Sequence, residues 1–156
     1  FAFTMAGTDD LTFLLEPTDR LVGWLTGSHS VYLEDNGFYY DRPNILIDKS
    51  CSGFNFGILC FLVFTYLAVK HLGKPLYKIL AIPGALLFAY ALTIFVNTSR
   101  IFASVMVQAQ TKILFASQQH LIHESIGVIT NLTFLVLTYY LIEKFLIHRK
   151  HNEKPP

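Results

Sequence analysis

Three stretches of this chain, 54–69, 79–96 and 126–142, contain no charged side chain and show no alternation of polar and apolar positions. With its flanks, each reaches the roughly 20 residues that a helix needs to cross a bilayer. Barrel strands would place a polar residue at every second position, so the pattern predicts membrane-crossing helices over 53–72, 78–98 and 125–146.

The first fifty residues read differently. Residues 1–7 are apolar but too short to span, and are expected to be the end of a truncated helix. Over 8–50 the chain is more polar: 11–15 and 21–25 read as short helical or interfacial pieces, and Asn36-Gly37 as a turn. Trp24, Tyr32, Phe38, Tyr39 and Tyr40 suit the headgroup region. Between the second and third runs, 101–107 is apolar, but Gln108, Gln110, Lys112, Gln118, Gln119 and His120 disfavour a further crossing. An interfacial or re-entrant segment is therefore expected over 101–122. The fold class that results is an all-α integral membrane protein. It is a single domain over 1–156: a multipass helical bundle with an extracytoplasmic segment over 8–50 and a cytoplasmic tail over 147–156.

Composition agrees: of 156 residues 53% are hydrophobic, and the mean hydropathy of +0.44 is too high for an ordinary small soluble domain. Charge adds orientation. Lys70, Lys74 and Lys78 lie between the first two runs, and Lys144, Arg149, Lys150 and Lys154 follow the third. The positive-inside rule assigns both segments to the cytoplasm, leaving the opposite helix ends outside.

Those outer ends carry the reactive chemistry. Cys51 opens Cys51-Ser52-Gly53-Phe54-Asn55-Phe56 near the start of the first crossing helix, where unpaired amides favour a thiolate. It reads equally well as a small packing residue. Cys60, about 13 Å deeper, is expected only to pack. Arg100 and Asn97, three apart, share a face at the end of the second helix; such an Arg either serves a site or snorkels to headgroups. His123, beside Glu124, supplies a proton carrier at the start of the third. His120, His123 and Glu124 at i, i+3, i+4 also leave open a metal-dependent hydrolase, and a non-catalytic scaffold or transporter subunit, joined by Arg100 and Asn55, is the remaining alternative.

Cys51-Ser52-Gly53, then Asn97-Thr98-Ser99-Arg100-Ile101, then His123-Glu124 with Gly127, each at an outer helix boundary, resemble the Cys, Arg and His motifs of the exosortase and archaeosortase family. Leu15-Glu16-Pro17, Leu25-Thr26-Gly27 and 51–56 look most like its compact branch, exosortase K. The resemblance implies a multipass cysteine peptidase or transpeptidase of the bacterial inner membrane with its site facing the periplasm. Cys51 would be the nucleophile, His123 the proton shuttle and Arg100 the stabiliser of thiolate, oxyanion or carbonyl, with Asn97, Ser52, Asn55 and Glu124 in support. Its partners would be exported proteins bearing a C-terminal sorting signal, membrane lipids and an envelope polymer or lipid acceptor. Neither a cofactor, a metal nor nucleic acid is implied.

Overall fold

A computed structural model describes residues 7, 9–34, 36–41, 45–73, 75–111 and 119–152, with the helical stretches 108–111, 119–124 and 149–152 described by backbone alone. In chain order come a 3-10 turn Asp9–Leu11, α1 (Thr12–Thr26), β1 (Val31–Leu33), β2 (Gly37–Tyr40), β3 (Ile45–Ile47), a second 3-10 turn Lys49–Cys51, α2 (Phe54–His71), α3 (Pro75–Thr111) and α4 (Gln119–Asn152).

Helices α2, α3 and α4 form the bundle, and three spans are long and apolar enough to cross a membrane: Lys49–His71, made of the second 3-10 turn and α2, Pro75–Val107 within α3, and Ser125–His148 within α4. Phe56, Cys60, Phe64 and Leu67 recur on one face of α2, where they are buried. Phe56, Cys60 and Phe64 share a core with Ala85, Ala89 and Val96 of α3. Gly53 and Gly57 start that face and meet Asn97 and Thr93 respectively, so the two helices run antiparallel with their backbones close, as small residues one turn apart allow in lipid. Phe95 of α3 meets Phe134 of α4 edge-on at 5.6 Å. At the cation-rich end Lys70 of α2 donates to Glu143 of α4 at 3.1 Å. Large apolar side chains such as Leu80, Leu87, Ile129 and Val136 point outward, an arrangement suited to lipid and not to water.

The region before α2 is a cap on the bundle. Helix α1 packs against α3 and contains Pro17, which has no N–H to offer the carbonyl of Phe13 one turn earlier. Tyr90 of α3 fills that role, its hydroxyl donating to Phe13 O at 2.8 Å while its ring stacks on Phe13. The strands form a small antiparallel sheet in the order β1-β2-β3. Tyr40, fully buried, donates to the carboxylate of Asp19 at 2.7 Å, and Ser30 donates to the other carboxylate oxygen at 3.0 Å. This ties the sheet to α1.

Helices long and apolar enough to cross a membrane cover the three apolar runs read from the sequence; three other features differ. The pieces at 11–15 and 21–25 join into the single helix α1, because Tyr90 replaces the hydrogen bond that Pro17 removes. Most of the aromatic cluster assigned to the headgroup region builds the sheet, whose strands of three or four residues are too short to display a period. Helix α3 does not stop near Arg100; it runs on through Thr111, so the first half of the expected re-entrant segment continues the second crossing helix. Thr98 and Ser99 return their hydroxyl protons to the carbonyls of Ile94 and Phe95 at 2.8 Å, and no Gly or Pro follows to break the helix. Polar residues there mark an exit from hydrocarbon, not from helix: at 37 residues α3 is about 55 Å long, against a core of about 30 Å. Residues 1–6 and 112–118, where a truncated helix and part of the re-entrant segment were expected, lie outside the described residues.

Tyr90→Phe should cost about 1 kcal/mol of stability in detergent, and the cost should shrink in a Pro17→Ala background, where residue 17 regains the N–H for Phe13; equal losses in both backgrounds would show that the hydroxyl does not serve that carbonyl. Burial, with the hydrogen bond and charge of Asp19 added, raises the Tyr40 phenol above its ordinary value. The neutral form is favoured in the fold, so its contribution is complete below the ordinary pKa of about 10 and fades as pH rises further. Thermal melts should therefore show wild type losing stability above pH ~10 more steeply than Tyr40→Phe.

Candidate active site at the Cys51 turn

Cys51 is the last residue of the 3-10 turn that links β3 to α2, and the turn is built by Asp48. The Asp48 carboxylate accepts from Ser50 N at 3.0 Å and Ser50 Oγ at 2.6 Å. Its carbonyl accepts from Cys51 N at 2.9 Å. The thiol is buried, 3% exposed, in a cluster that includes Leu11 and Leu15 of the cap and Ile101 of α3. Ser50 Oγ is 3.9 Å from Cys51 Sγ. Cys51 thus stands three residues before α2, near the helix start as the sequence suggested, with its own amide already bonded.

Two side chains from one face of α3 hold the main chain on either side of the thiol. Asn97, fully buried, donates from Nδ2 to Ser52 O at 2.7 Å. Arg100, 8% exposed, donates from Nη2 to Ser50 O at 3.4 Å. The spacing of three between them gives the shared face that the sequence predicted. Gly53 makes the approach possible: its φ of 64° suits glycine, and a Cβ there would lie 2.3 Å from Asn97 Nδ2. Ser52, also buried, lets its hydroxyl accept from Phe54 N at 3.4 Å, closing the entry into α2.

The guanidinium is wedged against a third element. A Cβ at Gly127 of α4 would lie 3.2 Å from Arg100 Cδ and 3.4 Å from Nη1, so a larger residue there would require the Arg100 side chain to shift by a few tenths of an ångström. Among the described residues no carboxylate lies within ion-pair distance of Arg100, and its Nε has no hydrogen-bond partner. A buried cation in that state is costly unless an anionic or carbonyl group joins it.

The structure therefore gathers Cys51, Ser52, Asn97 and Arg100 at one place. Asn55, expected in support, sits on an exposed face of α2. The backbone of His123 lies in α4 one helical turn before Gly127; the side chains of His123, Glu124 and His120 lie outside the description. Sequence reasoning passed over Asp48, although an Asp two residues before a Ser is a turn signal that pointed to it.

No curated protein matches the chain, and no solved structure does. Residues 13–140 match the family described as Transmembrane exosortase (Exosortase_EpsH), a span running from the start of α1 to the later turns of α4 and containing the whole Cys51 turn with its α3 clamp. The chain belongs to the transmembrane exosortase family.

Proposed function

We propose that this protein is a membrane-embedded cysteine protease or transpeptidase, which cleaves the C-terminal sorting signals of exported proteins and passes the product to a cell-envelope acceptor. The observation that carries the reading is the buried guanidinium of Arg100, resting on the peptide group of Cys51 without a carboxylate to neutralise it among the described residues. A donor fixed beside a thiol is what acyl transfer needs, since negative charge develops on the carbonyl oxygen under attack.

In this reading Cys51 yields its proton to His123 and its sulfur bonds to the scissile carbonyl carbon. Arg100 stabilises the resulting oxyanion. As that intermediate collapses, the C–N bond breaks and the amine leaves with the proton from His123, giving a thioester on Cys51. A hydroxyl or amine of the acceptor then attacks, the C–S bond breaks, and the thiol is restored. The position of residue 123 one turn from Gly127, itself packed on Arg100, supports the role given to His123. Asn97 keeps the Cys51 turn in place and is a positioning residue.

Orientation follows from charge. Lys70, Lys78 and Lys144 gather at the bundle end opposite Cys51, so the positive-inside rule turns the Cys51 end toward the periplasm of a bacterial inner membrane. A substrate whose recognition segment lies next to its own membrane helix meets the thiol at fixed depth, which supplies proximity.

In cells carrying a tagged exported protein with a C-terminal sorting signal, Cys51→Ala and His123→Ala should leave it unprocessed. Arg100→Ala should slow processing by about 10²–10³, and Arg100→Lys should not restore it, because a lysine lacks the planar fork. Full processing by Cys51→Ala ends this reading in favour of a scaffold.

A further inference from the structure

Helix α3 carries more hydrogen-bonding groups on its site face than the Cys51 turn uses. Asn97 Oδ1, Arg100 Nε and Ser104 Oγ are all buried and have no partner among the described residues. At about 100° per residue, Ser104 falls between Asn97 and Arg100 around the helix, one turn beyond Arg100. Ile101 and Val105 flank it on the side of the Cys51 cluster, and Gly127 of α4 lies on the side of Arg100.

Ser104 is the exception among its neighbours. Thr93, Thr98 and Ser99 each donate to the carbonyl four residues earlier, at 2.7, 2.8 and 2.8 Å, the usual way a helix satisfies a hydroxyl away from water. Ser104 is only 9% exposed and makes no such bond. From 97 to 104 the helix rises roughly 10 Å, the length of about three residues of extended peptide. Along that length stand an acceptor, a donor, and a hydroxyl able to do either, which matches a peptide main chain with its N–H and C=O groups.

We infer that Ser104 is a substrate-binding residue which, with Arg100 Nε and Asn97 Oδ1, forms a ladder receiving the main chain of an extended peptide beside Cys51. The inference rests on the thiol-nucleophile reading above and adds the form in which substrate lies there. Recognition of this kind ignores side chains, so the ladder fixes register and depth for any unfolded segment that enters.

The test compares two alkylating reagents on the full chain in lipid nanodiscs, read by the mass of the Cys51 peptide. One is a mixed-sequence set of acetyl-tripeptidyl chloromethyl ketones; the other is chloroacetone, which carries the same reactive group without a main chain. In each case the sulfur–carbon bond forms, chloride leaves and the thiol proton passes to buffer. Wild type should react faster with the peptidyl reagents. Ser104→Ala should lower that rate about threefold to tenfold, one hydrogen bond's worth, and leave the chloroacetone rate unchanged, which also shows the fold intact. Equal rates for both reagents in wild type, an unchanged peptidyl rate in Ser104→Ala, or equal slowing of both reagents would overturn the ladder. Absence of any Cys51 adduct would remove the thiol reading along with it.

Discussion

The site depends on one constraint: a turn with no regular structure of its own must hold a thiol still at the edge of a membrane. Asp48 shapes the turn from within, but its position relative to the bundle is set by α3, through Asn97 on one side of Cys51 and Arg100 on the other. Gly53 permits that approach, and a side chain there would strike the Asn97 amide. Because Asn97 and Arg100 belong to one long helix, whatever orients α3 also orients the thiol. The cap does so at the Cys51 end, through α1 and the Tyr90–Phe13 bond. The bundle does so along its length, where Gly57 of α2 meets Thr93, and Phe56, Cys60 and Phe64 share a core with Ala85 and Ala89.

Much of this was legible in the sequence because hydrocarbon imposes a coarse rule on length and charge. The three crossing segments, the turn at Asn36-Gly37 and the shared face of Asn97 and Arg100 all follow from local spacing. What was not legible depends on partners far away in sequence. Pro17 reads as a helix break until Tyr90, 77 residues later, is seen to serve the carbonyl it frees. The strands are too short to show alternation, and Tyr40 looks like an interfacial ring until Asp19 is found beside it. The sequence pattern ends the second crossing helix at 98, whereas the helix continues through Thr111, with the hydroxyls of Thr98 and Ser99 bonded to its own carbonyls. Asn55, a supporting residue under the family resemblance, lies on an exposed face of α2.

The energetics of Arg100 join fold to function. Among the described residues the buried guanidinium has one carbonyl for company, which sacrifices stability, and the family to which the chain belongs gives that sacrifice a context. Packed against Gly127 of α4 and bonded to the carbonyl of Ser50, the cation couples three elements that no single stretch of sequence brings together. Its Nε and the hydroxyl of Ser104, both without a partner among the described residues, extend the same polar line along α3. Fold and site are thus one construction, in which the helix that carries the cation also holds the turn that carries the thiol.

The most direct measurement is peptide mapping by mass spectrometry of the acid-quenched protein during turnover of a sorting-signal substrate. The result expected is a substrate fragment joined to Cys51 through a bond that neutral hydroxylamine cleaves, as it does a thioester. Product accumulating while Cys51 stays unmodified throughout, or a covalent intermediate on any other residue, would contradict a nucleophilic thiol at the centre of this structure.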